Sequence, residues 1–315
     1  MASQILTNAG YSLYPHQKKG IDFLVNIENN HNKGGILADE VGLGKTIQTI
    51  ALLLERPGHT LIAGPLAVVP QWAEKLRAIL PEDRYTIIVH HGKTRLENAV
   101  DFLDAQTQLG KKGIVVTSVG LMTRLGAIHA ARWDRFVLDE AHYARNPKTQ
   151  LFKKCMELNA STKWMLSATP VQNKPEDLLS LLRIACKLNT QTNIKKIDQI
   201  KELRDVFLLR RTKEETKQTL PPLTIENKLC RFQSEDEEQF YSMVEQSTTK
   251  AFNDAMKRGN ADRMIIILEL LLRLRQCTLH PQMVIEGYKE KGIFNQDLPE
   301  WDAKTTKIHY LEKIV

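Results

Sequence analysis

The sequence predicts an α/β protein: a parallel sheet with helices on both faces, followed by a mainly helical region. Three observations carry this. Six short β-rich runs alternate with helical patterns over the first 190 residues. One run feeds a glycine-containing turn that opens a helix, as a parallel α/β unit requires. After about residue 190 the alternation stops, and the chain becomes polar and basic, then helical.

The six runs are Gly35-Ile36-Leu37-Ala38, Thr60-Leu61-Ile62-Ala63, Tyr85-Thr86-Ile87-Ile88-Val89, Gly113-Ile114-Val115-Val116-Thr117, Arg135-Phe136-Val137-Leu138-Asp139 and Lys163-Trp164-Met165-Leu166-Ser167. Six such runs separated by helices imply a sheet covered on both faces. In 44–55, Ile47, Ile50, Ala51 and Leu54 fall at helical spacing. Pro70 opens a helix with apolar face Trp72, Leu76, Ile79 and Leu80, stopped by Pro81. Leu220-Pro221-Pro222 breaks any helix. Leu223, Ile225 and Leu229 suggest a half-buried strand by period two. A charged helix is predicted over 235–258, ended by Gly259. Met264 to Leu274 is apolar nearly all round, which predicts a helix covered on several sides, with Asp262 as its N-cap. Lys304 to Val315 opens another helix.

Composition narrows the class. Of 315 residues, 42% are hydrophobic and 26% charged, which excludes wholesale disorder. The longest run without Asp, Glu, Lys or Arg, Pro57 to Ala73, is broken by three prolines and Gly58, so no membrane span is expected. The first residues show no secretory leader pattern. Cys155, Cys186, Cys230 and Cys277 lack metal-site or redox spacing, which predicts four reduced, buried thiols in an intracellular protein. His90, His91 and His280 have no carboxylate or cysteine at ligand spacing and are expected to be structural. Net charge is +7. It divides as +5 over 1–170 (20 basic, 15 acidic), +4 over 171–220 (11 against 7) and −2 over 221–315 (13 against 15). A polyanionic partner is permitted by this balance, and a solvated basic surface explains it equally well.

The chemistry lies in two segments. Ala38-Asp39-Glu40-Val41-Gly42-Leu43-Gly44-Lys45-Thr46 joins a predicted strand to a predicted helix. Gly42 and Gly44 let the backbone turn and aim N–H groups at phosphate oxygens, and the helix adds its positive end. Lys45 would reach the β- and γ-phosphates and the Thr46 hydroxyl would bind Mg²⁺. Asp39 stands where the strict phosphate-loop pattern has its first glycine. Ninety-four residues on (139 − 45), Phe136-Val137-Leu138 brings Asp139 and Glu140 to a strand's carboxyl end. Asp139 would hold the Mg²⁺ and Glu140 would polarise the attacking water. An acid-rich helix start is the alternative explanation of this pair.

Together these segments resemble superfamily-two helicases and, within them, the Swi/Snf family of DNA-translocating ATPases. Leu13 to Gly20 is similar to the family's glutamine motif, which implies that Gln17 reads the adenine edge. Gly34 to Thr49 is close to motif I, whose nucleotide-binding positions here are Asp39, Glu40, Val41, Gly42, Leu43, Gly44, Lys45 and Thr46. Pro65 to Leu76, with Trp72 and Glu74, resembles motif Ia, and Val116-Thr117-Ser118 the next DNA-strand motif. Asp139-Glu140-Ala141-His142 is similar to motif II, a DEAH box, and Leu166 to Asn173 to motif III. Phe207 to Lys213 with Leu220-Pro221-Pro222 resembles the family's arginine-rich brace, and Leu274 to Pro281 its linker.

The resemblance implies a RecA-like lobe over 1–190, a brace, helical protrusion and linker over 191–300, and the start of a second RecA-like lobe over 301–315. It implies ATP and Mg²⁺ as ligands, Lys45, Asp139 and Glu140 as catalytic residues, and Thr46 and Asp139 at the metal. Pro65, Thr117 and Ser118 would touch the backbone of duplex DNA, with turn and capping chemistry as the alternative. Ser167 and Thr169 would couple the nucleotide site to lobe movement, or cap a helix. His142 would be a switch or a packed imidazole. Arg210 and Arg211 are expected to brace carboxylates in the fold. The implied activity is DNA-dependent ATP hydrolysis that drives translocation and remodels protein–DNA complexes such as nucleosomes. It needs the second lobe in cis, with its arginine finger. The implied location is the nucleus in a eukaryote, otherwise the cytoplasm or a virus-associated setting. A strand-separating helicase and a regulatory DNA-binding module that holds nucleotide without turnover are the competing readings.

Overall fold

The computed structural model describes residues 2–31, 33–124, 126–170, 175–188, 197–216, 224–257, 263–289, 301 and 304–314. Val171 to Asn173, Leu220 to Leu223, Gly259 and Asp262, named above, lie outside the described residues. The chain divides into two compact units, Met1–Pro221 and Pro222–Val315.

The first unit is built on seven strands: β1 (Ile36–Leu37), β2 (Thr60–Gly64), β3 (Tyr85–His90), β4 (Lys112–Ser118), β5 (Trp133–Asp139), β6 (Ala160–Leu166) and β7 (Leu208–Leu209). They form one sheet in the order β3-β4-β2-β5-β6-β1-β7, and every pairing is parallel. The six predicted runs are six of its strands. The central strands are apolar nearly throughout because helices cover both faces. Ile62, Val115, Phe136, Val137 and Trp164 are among the residues buried there. The helix Lys45–Glu55 buries Gln48 through Leu54. The helix Val69–Ile79 starts with Pro70 in its first turn and buries Trp72, Ala73, Leu76 and Ile79, the face its periodicity predicted. Each fully buried Leu or Phe contributes about 1.5–3 kcal/mol.

Charge is also buried in this unit. Arg135 forks onto Glu28, Nε to Oε1 at 2.7 Å and Nη2 to Oε2 at 2.5 Å, and Trp164 Nε1–H and Thr162 Oγ–H add donors to Oε1. Burial pushes the Glu28 carboxyl up, but Arg135 with Trp164 and Thr162 outweighs it and holds the group below its usual value.

The second unit is helical: Glu235–Lys257, Arg263–Cys277, Pro281–Lys289 and Thr306–Glu312. A small cluster of Val244, Cys277 and Val284 holds it, with Phe240, Tyr241, Leu274 and Tyr288 packed around. Three expectations are corrected here. Residues 224–232 form no strand, and Ile225 and Leu229 are exposed. Among the described residues this unit contains no strand, so a period-two pattern has no ladder to join. The apolar helix is not covered all round, because Leu268, Leu271 and Leu272 are about half exposed. Cys230 is exposed rather than buried, although all four cysteines are free.

Candidate functional site

Three strand ends converge. Leu37 of β1 and Asp139 of β5 both pair in register with Leu166 of β6. The phosphate loop, Ser167 and the acidic pair therefore leave the sheet side by side. The chain leaves β1 and returns at β2, on the far side of β6 and β5, and such a switch in strand order opens a crevice at the carboxyl edge.

The loop's tip is a ring of free donors. Gly42 and Gly44 have φ of +92° and +82°, the left-handed region in which glycine is unstrained. Among the described residues, the N–H groups of Gly42, Gly44, Lys45 and Thr46 make no hydrogen bond. Four such donors at a helix start form an anion cradle. A side chain at Gly44 would overlap Gln17 Nε2. The Lys45 ammonium lies on the loop itself, donating to Asp39 O at 2.7 Å. Burial lowers its pKa, while Glu140, Asp139 and Asp39 pull it back up. A desolvated ammonium over unpaired N–H groups fits a polyphosphate. The Thr46 hydroxyl has no partner among the described residues, and Asp139 keeps lone pairs, so the oxygen donors suit a hard cation such as Mg²⁺.

The loop's first half is braced, not free. Ala38 N–H donates to Leu209 O at 2.7 Å and Glu40 N–H to Arg211 O at 3.0 Å, continuing the β1–β7 ladder. The Asp39 carboxylate, 0% exposed, takes Arg211 Nε at 2.9 Å and Gln48 Nε2 at 3.0 Å. Arg211 also donates to His16 O and to Gln48 Oε1. Asp39 can stand in the glycine position because its carboxylate is committed to this pair. Arg211 is thus a brace, as expected, whereas Arg210 is exposed. Lys213 N–H donates to Glu40 Oε2 at 2.7 Å, and its side chain runs past Gly42. Leu43 is buried and Val41 exposed. Gln17 is buried, its amide shared between Leu43 O and Tyr14 N–H, and His16 Nε2 lies 3.1 Å from the same carbonyl.

Opposite, Asp139 Oδ1 accepts Glu140 N–H at 2.9 Å and Oδ2 accepts Trp72 Nε1–H at 2.7 Å. Glu140 sits at φ +51°, a strained conformation for a residue with a side chain and one that concentrates at functional sites. Its Oε2 lies 3.1 Å from His142 Nδ1, and the His142 ring stacks on Tyr143. Ser167 is buried, and its Oγ accepts Thr169 N–H at 3.3 Å. Of the residues expected at DNA, Pro65 opens a short 3₁₀ turn at the end of β2, and Ser118 ends β4 in register with Gly64. Thr117 is 0% exposed and its hydroxyl donates to His90 O, so a phosphate contact from its side chain would first break that bond. Sequence reasoning did not find the Trp72–Asp139 bond or the place of Lys213. Both depend on contacts across the fold. The only local signal was that each stood inside a segment already singled out.

Fold and site define a phosphate-loop domain of the helicase-like class. Residues 16–283 match the family model described as the SNF2-related domain. The chain belongs to that family. It is 31% identical to DNA repair protein RAD5B of Arabidopsis thaliana, over 80% of this chain and 24% of that protein. It is 28% identical to the chromodomain-helicase-DNA-binding protein 3 homolog of Caenorhabditis elegans, over 95% and 18%. The Sulfolobus solfataricus SWI2/SNF2 ATPase core in complex with dsDNA superposes with a TM-score of 0.53 at 27% identity, covering 96% of this chain and 64% of that one. The chain thus spans a quarter or less of the length of these two curated relatives.

Proposed function

We propose that the chain is the ATP-binding half of a DNA-dependent ATPase that moves along duplex DNA and remodels protein–DNA complexes. One observation carries this reading: the N–H groups of Gly42, Gly44, Lys45 and Thr46, unbonded among the described residues, with Lys45 above them and Asp139 and Glu140 facing them. The cradle binds the β- and γ-phosphates, and Lys45 leaves the Asp39 carbonyl to pair with them. Gln17, already at the loop, orients the adenine. Thr46 and Asp139 hold Mg²⁺, which neutralises phosphate charge. Glu140 takes the proton of the attacking water, and His142, 3.1 Å away, orients it. Ser167 and Thr169 sit between the two halves of the site and pass its state to a second RecA-like lobe in cis. Pro65 and Ser118 stand at the strand ends that face the duplex, and Thr117 joins them only if its hydroxyl leaves His90 O. The solved dsDNA complex of the Sulfolobus relative supports a DNA partner.

The test is phosphate release by residues 1–315 with saturating duplex DNA, beside a protein that also carries the second lobe. The isolated chain should be slower by about 10³–10⁵, the worth of an arginine finger in related phosphoryl-transfer systems. Lys45→Ala should abolish turnover in the two-lobe protein. A gap within about tenfold, or wild-type turnover by Lys45→Ala, overturns the reading.

A further inference from the structure

Trp72 lies on the helix Val69–Ile79, and only 3% of it is exposed. A buried indole needs a partner for its single N–H. The buried Trp133 and Trp164 give theirs to groups of the framework, Ile128 O and Glu28 Oε1. Trp72 gives its N–H to Asp139 Oδ2 at 2.7 Å, across 67 residues of sequence. The other oxygen, Oδ1, accepts the Glu140 N–H at 2.9 Å. The last torsion of an aspartate is broad, so one hydrogen bond leaves the carboxylate plane free to rock. Two donors on its two oxygens fix that plane. The fit around it is close: a Cβ placed on Gly64 would come 3.3 Å from Asp139 Cβ and 3.0 Å from Val68 Cγ2, in the turn leading to the Trp72 helix.

We propose that Trp72 is a positioning residue for the metal site: its indole N–H holds the Asp139 carboxylate so that the remaining lone pairs point at a divalent cation beside the nucleotide phosphates. This rests on Asp139 being the metal-holding carboxylate. Packing alone would be satisfied by any large ring at this position. Positioning requires the N–H. Donors that orient a metal-holding group are worth about 10–100-fold in metal affinity.

Trp72→Phe keeps an aromatic ring and removes the donor. Wild type and variant, both residues 1–315, are saturated with ADP and titrated with Mn²⁺, with free Mn²⁺ read by electron paramagnetic resonance. ADP affinity in EDTA is measured beside it. The variant should need about 10–100-fold more Mn²⁺ for half-saturation, with its metal-free ADP affinity within about twofold of wild type. If Trp72→Phe does not fold, benzothienylalanine at position 72, which keeps the bicyclic ring and lacks the N–H, takes its place. Equal Mn²⁺ affinity in wild type and variant overturns the inference and leaves the nucleotide site standing. A wild type that binds no ADP overturns the site reading itself. A wild type that binds ADP but no Mn²⁺ overturns both the role of Asp139 and that of Trp72.

Discussion

The two units bury charge differently. In Met1–Pro221, Glu28 and Asp39 lie within the fold, and each is matched by a guanidinium, Arg135 or Arg211. In Pro222–Val315, the buried Glu237 takes its hydrogen bonds from the N–H and hydroxyl of Thr306, both neutral. Apolar residues follow the same division. The first unit sandwiches its strands between helices, while the second leaves Leu268, Leu271 and Leu272 open. A sheet covered on both faces removes groups from water on every side, and a carboxylate placed there needs a full opposite charge. A thin helical cluster covers one side, and neutral donors hold its carboxylate.

The largest test of this contrast is chemical. Burial pushes the Cys155 and Cys186 thiols of the first unit up to about 12, whereas Cys230 of the second is exposed. A maleimide or disulfide reagent near neutral pH should modify Cys230 on the order of a thousandfold faster than either buried thiol. Comparable rates at Cys155 would mean that the first unit opens readily. Next comes the ion pair. Arg135→Met should cost up to about 3–5 kcal/mol in denaturant unfolding, because the buried Glu28 loses its two-pronged guanidinium and keeps as a charge partner only the part-exposed Arg56, Nε at 3.1 Å. The paired Glu28 has a folded pKa below its ordinary 4.5, so its contribution is present above that value and is lost as pH falls through the folded pKa. The gap between Arg135→Met and wild type should therefore narrow in acid; a gap that widened would contradict the charge pairing. The smallest effects come from paired leucines. Leu52→Ala, fully buried in the first unit, should cost about 2–5 kcal/mol, and Leu272→Ser on the second only about 0.5 kcal/mol or less. Equal costs would show that Leu272 is covered in solution.

Legibility followed the same line. The strands from Thr60 to Leu166 could be read because two-sided burial writes continuous apolar runs into the sequence. β7 could not, since two leucines carry no period and its partner β1 lies about 170 residues upstream. Period two misled at Ile225 and Leu229, where alternation had no neighbouring strand to bond. At the site, the gathering of Lys45, Thr46, Asp139 and Glu140 at neighbouring strand ends was legible, because phosphate and cation chemistry asks for such residue types at fixed local spacing. Arg211 was legible as a brace, but its partner Asp39 was not, nor was the Trp72–Asp139 bond, because a hydrogen bond across the fold leaves no mark in local spacing. Thr117 shows the limit from the other side. Its place in a motif was visible, but its hydroxyl's commitment to His90 O was not.

The Asp39–Arg211 pair also sets an order of events on the ribosome. Asp39 is synthesised 172 residues before its partner. At about 5–20 residues per second, that interval lasts on the order of ten to thirty seconds. Strands β2 to β6 are made within it and can begin to pack. The start of the phosphate loop cannot settle, because sealing Asp39 into the interior without a guanidinium costs several kcal/mol. A nascent chain halted before Arg211 would carry most of the hydrophobic centre and an unfinished nucleotide cradle. The phosphate loop is translated ahead of strands β2 to β7 and becomes native only after Arg211 has followed them.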